Sequence, residues 1–224
     1  MALVVRPASA ASWAWPTIRA MRKLVVLSFL SLDGVMQAPG GPEEDTSGGF
    51  EYGGWTVPHS DRASGSMMGE QLAMPFDLLL GRRTYELFAA YWPNQDADAI
   101  ATGPFNRATK YVVSNSSPQL GWETSVLLSG DVVAEIRRLK DQDGPMLQVH
   151  GSGELVQTLL RADLVDELWL KIFPVTLGSG RRLFGDGTIP AGFTLLSSAT
   201  TPLGVIFASY ERSGEVRTGS FATS

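Results

Sequence analysis

Four short turns carry the groups that could do chemistry. His150, Gly151, Ser152 and Gly153 follow the apolar run Met146 to Val149, and Leu155, Val156, Leu159 and Leu160 then recur at helical spacing. A strand, a small-residue turn and a helix start together can accept an anion. Glycines let the backbone approach it, and the helix N-terminus offers free N–H groups and a positive dipole end. The same spelling also suits a tight turn with no ligand. Gly81, Arg82, Arg83 and Thr84 form a second such junction, after Asp77 to Leu80. Its two guanidinium forks match phosphate oxygens; alternatively it is a solvated basic turn. Ser114 and Asn115 end the run Lys110 to Val113, and Asp33 and Gly34 end the run Lys23 to Ser31.

The elements that must position these turns can be read from pattern. Lys23 to Ser31 reads as a buried central strand. The stretch Val35 to His59 is a long loop, rich in glycine and holding Pro39, Pro42 and Pro58. Its aromatics Phe50, Tyr52 and Trp55 favour a functional lid over disorder. Asp61 to Met74 reads as a helix, Thr84 to Tyr91 as another, and Ala99 to Arg107 as a short one broken at Gly103 and Pro104. Val126 to Leu128 is a short strand. Ser129 or Asp131 caps a helix with Val132, Val133, Ile136 and Leu139 inward. Leu164 to Phe173 alternates as a strand. Pro174 to Phe184 is a glycine-and-arginine loop. Phe193 to Ser197 and Val205 to Tyr210 pair as a late antiparallel edge, and Arg212 to Ser224 reads as a fraying tail. Strands alternating with helices from 77 to 170 predict an α/β domain with a largely parallel sheet. Ligands bind such sheets beyond the carboxyl ends of the strands, which is where all four turns lie.

Composition excludes several classes. A net charge of −5 leaves no basic footprint for nucleic acid or an anionic membrane. No cysteine is present, so thiol catalysis and disulfides are out, and a cytoplasmic protein is the easier reading. With only His59 and His150, no recognisable metal spacing exists. The apolar run Leu24 to Leu30 is too short to cross a bilayer. Residues 1–20, Ala-rich with Pro7 and Pro16, read as an extension, with the domain over 21–211 and a polar tail over 212–224.

The stretches LSFLSLDGVM, LLLGRRTYELFAAYW, KYVVSNS, LQVHGSGELVQTLL and DELWLKIFPVTLGSGRRLF, in that order, resemble the dihydrofolate-reductase-like superfamily. Within it the resemblance is to the C-terminal reductase domain of the bifunctional deaminase-reductase of riboflavin biosynthesis, and it covers residues 22 to about 211. It implies a dihydrofolate-reductase-like α/β fold: a central, mostly parallel sheet flanked by helices, with an antiparallel C-terminal edge. It also implies an NADPH-dependent reductase acting on a small polar heterocycle or a ribosylamino-pyrimidine. Arg82, Arg83 and Thr84, after Gly81, would hold the 2′-phosphate and pyrophosphate. Ser114 and Asn115 would flank the adenosine. Gly151, Ser152 and Gly153, with Glu154 and Leu155, would cradle the pyrophosphate, and Asp33 and Gly34 would lie near the nicotinamide. Two arginines suit NADPH better than NADH, because the extra phosphate needs countercharge.

The resemblance leaves the substrate side open. Dihydrofolate reductases anchor the pterin through a carboxylate on the helix after the first loop, which makes Asp61 and Glu70, with Asp33, the catalytic candidates. Arg181 and Arg182 are candidates for a substrate phosphate by charge; a subunit contact or an exposed loop is the alternative. Trp55 would belong to the lid over the substrate. A pterin reductase and a non-catalytic nucleotide-binding protein are the competing functions. The resemblance further implies a homodimer, with Leu164 to Phe184 as its contact, and a cis bond at Gly151–Ser152.

Overall fold

The computed structural model describes residues 21–96, 99–186 and 188–221; the N-terminal extension and the last three residues fall outside them. Strand β1 (Leu24–Leu30) is buried along almost its whole length. Continuous leucine and valine sequence suits a strand covered on both faces. A helix α1 (Arg62–Ala73), strand β2 (Phe76–Gly81), helices α2 (Arg82–Tyr91) and α3 (Thr102–Arg107), and strands β3 (Lys110–Val113) and β4 (Ser125–Leu128) follow. Then come α4 (Val132–Lys140), β5 (Met146–His150), α5 (Gly153–Arg161), β6 (Glu167–Ile172), β7 (Gly192–Thr200) and β8 (Ile206–Gly214). One eight-stranded sheet runs β4-β3-β2-β5-β1-β6-β8-β7. Its first six strands are parallel; β8 pairs antiparallel with β6 and with β7.

Register decides which side chains meet. Leu27 lies opposite His150 on β5 and Trp169 on β6, and Phe29 lies opposite Lys171, itself opposite Phe207 on β8. Side chains alternate along a strand, so these residues share one face with Gln148, Leu78 and Phe76. On that face Leu78, Leu80 and Val112 pack with Leu72, Tyr85 and Phe105 from α1, α2 and α3. The opposite face carries the larger cluster. There Leu24, Val26, Leu79, Leu147 and Val149 meet Ile136 and Leu139 of α4 and Val156 and Leu159 of α5. The apolar spacing in α4 and α5 thus faces the sheet, as the sequence predicts.

One expectation needs correction and another is narrowed. β8 runs to Gly214 and its pairing with β7 reaches that residue, so the fraying tail begins later than 212; Arg212 is tied by Nε to Asp163 at 3.0 Å. Of the expected Leu164 to Phe184 contact, β6 is an interior strand between β1 and β8, while the loop 174–184 is largely exposed.

Candidate functional site

The carboxyl ends of the parallel strands open into one cleft of ≈ 890 Å³. Its two ends differ in chemistry. At one end stand the N-termini of α2 and α5. Here Gly151 takes φ 66° and Ser152 φ 65°, ψ 65°, so two successive left-handed residues turn β5 into α5. No cis peptide occurs among the described residues, so the expected cis Gly151–Ser152 bond is trans. The chain reverses through backbone φ, and Ser152, whose Cβ would crowd a cis bond, sits in the left-handed region instead.

The two turns are latched together. The Gly81 amide donates to Ser152 Oγ at 2.9 Å, and Ser152 Oγ donates to Thr84 Oγ1 at 2.7 Å. A Cβ on Gly81 would come within 3.1 Å of the Ser152 side chain, so a larger residue there would push against the Ser152 latch. A Cβ on Gly151 or Gly153 would meet nothing within 4 Å. Gly81, Arg82, Arg83, Thr84, Ser114, Asn115 and Gly151 to Leu155 all line this end, as the sequence predicts. Arg82 pairs with Glu86 at 3.0 Å, one turn on; Arg83 reaches Asp45 of the long loop at 3.4 Å. The Arg82–Glu86 pair is exposed, so an incoming anion can replace it at little cost, and Arg83 is the exposed partner of a half-buried Asp45 that also holds Arg181.

At the other end the sheet face is aromatic. Phe29, Phe173 and Phe207 line it with Met68, Gln71 and Leu72 of α1. Two titratable groups sit among them. His150 donates from Nε2 to Gln148 Oε1 at 2.9 Å, and its ring centroid lies 5.0 Å from that of Phe105. Burial first, and the nearby Lys171 charge second, push its imidazole down to about 3, so it is neutral at physiological pH. Lys171 is 3% exposed, and burial pushes its amine down to about 7. Sequence reasoning missed Lys171. The available signal was a lysine at an inward position of the alternating run LWLKIF.

The remaining candidates divide. Arg181 lines the cleft, ion-paired with Asp45, while its backbone amide donates to Gln37 Oε1 at 3.0 Å. Six others lie outside the cleft. Asp33 accepts from Ser31 Oγ at 2.6 Å and from the Leu177 and Gly178 amides at 3.1 and 2.8 Å. These bonds, Ser31 first, hold its carboxyl down at about 2 and make it a tie for the 174–184 loop rather than a nicotinamide contact. Gly34 belongs to that tie: its carbonyl accepts from the Leu183 amide at 3.1 Å. Arg182 joins it too, donating from Nε to Asp33 O at 2.9 Å. Asp61 is the N-cap of α1, accepting from the Ser64 amide at 2.7 Å in a capping box. Glu70 is on the exposed side of α1. Trp55 is a core residue, 5.3 Å from Phe173 and donating from Nε1 to Gln37 O at 2.8 Å. With Phe50 also buried, the long loop is pinned by its aromatics, and Gln37 to Gly40, Glu44 and Asp45 form the cleft wall. Among the described residues no group of three or more His, Cys, Asp or Glu could hold a metal. No helix among them is long and apolar enough to cross a membrane.

Comparison with known proteins adds to this geometry. A family model described as the RibD C-terminal domain matches residues 22–207. The uncharacterized protein YyaP of Bacillus subtilis (strain 168) is 28% identical over 140 residues, 61% of this chain and 74% of YyaP. A putative riboflavin biosynthesis protein from Shewanella sp. PV-4 superposes with a TM-score of 0.64 at 22% identity, over 85% of this chain and 99% of that one. The dihydrofolate reductase of Enterococcus faecalis, solved with NADP(H), gives 0.53 at 14% identity, over 85% and 96%. At these identities the two structures establish a shared dihydrofolate-reductase-like fold.

Proposed function

The chain belongs to the RibD C-terminal domain family, and on that premise we propose that it is an NADPH-dependent reductase of the riboflavin-biosynthesis type. The carrying observation is the anion-accepting end of the cleft, where two helix N-termini are latched at Ser152 and Thr84 and flanked by Arg82 and Arg83. Free N–H groups, two dipole ends and two guanidinium forks suit a pyrophosphate and a further phosphate. The open space before Gly151 and Gly153 leaves their backbone approachable. The Enterococcus faecalis neighbour carries NADP(H) on the same fold. Bound NADPH would supply the hydride.

This chain's residues do the rest. Arg82 and Arg83 neutralise phosphate charge at the β2 end, Ser114 and Asn115 flank the adenosine at the β3 end, and the 151–155 turn holds the pyrophosphate at the β5 end. Sheet order then continues to β1, β6 and β8, so the reacting end points to the aromatic face. Phe29, Phe173 and Phe207 exclude water there and stack a flat ring. A small polar heterocycle, such as a ribosylamino-pyrimidine, fits that chemistry. The pterin-reductase reading is less favoured, because α1 presents Ser64, Met68, Gln71 and Leu72 to the cleft and no carboxylate. Functional assembly as a homodimer is part of the same reading.

Titration by tryptophan fluorescence tests it. NADPH is expected to bind more tightly than NADH, and NADPH oxidation to be stimulated by a member of a pterin and pyrimidine panel. Equal affinity for both cofactors overturns the cofactor reading. Tight NADPH binding with no substrate turned over favours the non-catalytic alternative.

A further inference from the structure

The four lysines of the chain are Lys23, Lys110, Lys140 and Lys171. Three of them have oxygen partners. Lys23 donates to Glu167 and Glu211, at 2.5 and 3.0 Å. Lys110 is fully buried and donates to the carbonyls of Asn106 and Glu123, at 2.6 and 3.1 Å. Lys140 donates to Leu164 O and Asp166 Oδ2, at 3.0 and 2.6 Å. Lys171 is buried like Lys110 and Lys140 and opens on the cleft, yet it makes no hydrogen bond or ion pair among the described residues. Two phenyl rings flank its Nζ: Phe29 at 5.9 Å and Phe207 at 5.8 Å from their centroids. A desolvated amine with no oxygen partner is costly to the fold, and such a group in a cleft points to a ligand that completes it.

Two other polar atoms of the same cleft also lack a partner. Gln71 Oε1 on α1 and Trp92 Nε1 beyond α2 are buried without a hydrogen-bond partner. Together with Lys171 they offer one acceptor and two donors around an aromatic-walled space. That is the hydrogen-bonding complement of a flat heterocycle bearing both N–H and C=O or C=N groups.

We propose that Lys171 is the proton donor of this site, its ε-ammonium hydrogen-bonding the oxygen or nitrogen of the substrate's reducible double bond. This rests on the reductase reading above. The acceptor carbon gains the hydride with its electron pair. The π pair moves onto the heteroatom, and a proton passes from Lys171 Nζ to that atom. Lys171 is left as the neutral amine and regains a proton from water. Burial brings the amine to about 7, where it is protonated often enough to donate and acidic enough to do so readily.

The surrounding groups leave Lys171 to titrate by itself. From β5 it faces His150, which is neutral. From the segment before α1 comes His59, against Phe173 at 6.1 Å. The strands on either side, β1 and β8, contribute phenyl rings, and α1 contributes Met68 and Gln71. Of the carboxylates that line the cleft, Glu44 accepts the Gly40 amide at 2.6 Å, Asp45 holds Arg83 and Arg181, and Glu154 lies in the first turn of α5 at the anion-accepting end.

Two measurements test the assignment. In protein labelled with [ε-13C]lysine, four signals are expected, and Lys171→Met assigns one of them. That signal should titrate near neutral pH, with and without NADP+, while the Lys23 signal, held up by Glu167 and Glu211, stays charged to alkaline pH. In parallel, turnover of dihydrofolate and of 5-amino-6-(5-phosphoribosylamino)uracil is followed across pH. Lys171→Met should lower kcat by about 10²–10⁴-fold, the usual worth of general acid catalysis, leave the NADPH Kd unchanged and lose the alkaline fall of the kcat profile. Lys171→Arg keeps the charge but not the releasable proton, and should be nearly as slow. A Lys171 signal that stays charged beyond pH 10, or a Lys171→Met enzyme with wild-type kcat and pH profile, overturns the proposal alone. A wild-type protein that binds no NADPH, or reduces neither compound, overturns the reductase reading and this proposal with it.

Discussion

Arg82 and Arg83 stand out in the sequence as two adjacent guanidinium groups after a strand, a pattern that a solvated basic turn also fits, and both line the cleft. Both guanidinium groups are exposed, and Glu86 and Asp45 hold them only through pairs that water weakens, so most of a charge-assisted phosphate contact survives the exchange. Arg82→Ala or Arg83→Ala should therefore narrow the NADPH–NADH difference by about 1–3 kcal/mol; paired titrations with the two cofactors measure it, and an unchanged difference in both variants would remove these residues from the site. Lys171 gives the opposite kind of prediction. Its amine is held near 7 in the fold against 10.5 ordinarily. Between those values the unfolded chain binds the proton more strongly, so this residue's cost to stability is fully present below about pH 7 and fades as pH rises toward 10.5. Lys171→Met should raise the Tm by several degrees at pH 7, by progressively less at higher pH, and lower activity at the same time. A Tm that falls at pH 7 would show the ammonium to be stabilising. The sequence concealed this residue because its partners arrive by register from β1 and β8, far away in the chain.

At the scale of elements, the contrast lies between contiguous and assembled features. The strand–turn–helix units at 76–91 and 146–161 are spelled in single runs of sequence, so the elements follow from pattern, although α2 begins at Arg82 rather than at the expected Thr84. The aromatic end draws on β1, β6, β8, α1 and the long loop, so no local run describes it. Gly151 tests the contiguous kind. With φ 66° and nothing within 4 Å of the place a Cβ would take, its constraint is conformational rather than steric crowding. Gly151→Val asks a β-branched residue to hold a left-handed conformation; the turn should relax, turn its amides away and abolish measurable NADPH binding, while far-UV circular dichroism stays native. Retained binding would show that α5 alone suffices. Asp61 tests the helix that sequence reasoning gave a catalytic carboxylate. Its carboxylate is occupied by the capping box of α1. Asp61→Ala should lower the Tm by a few degrees and leave kcat unaltered; a large loss of kcat at unchanged Tm would restore the catalytic role.

At the scale of the whole molecule, the sheet closes one edge and exposes the other. Of the expected contact, Leu164 to Phe184, the strand β6 is interior between β1 and β8, and only the 174–184 loop is largely exposed. What the sheet exposes is β7, a nine-residue edge strand with Leu195 and Leu196 about half accessible and Ile206 of β8 and Leu203 of the intervening turn beside it. Long exposed edges with apolar side chains invite pairing, and soluble proteins usually cover or charge them. β7 carries no charged residue between Gly192 and Thr200. A two-fold arrangement of two copies would cover both edges at once with the same residues on each side. Pairing at this edge would also brace β8, whose Phe207 forms part of the aromatic end of the cleft. The prediction is a homodimer joined through β7. Sedimentation equilibrium at micromolar concentration should give twice the chain mass, and Leu195→Asp together with Leu196→Asp should give monomers that still bind NADPH, since the anion-accepting turns lie on β2, β3 and β5 at the far side of the sheet. A wild-type monomer at that concentration would rule the dimer out, and a dimer that survives both substitutions would move its contact away from β7.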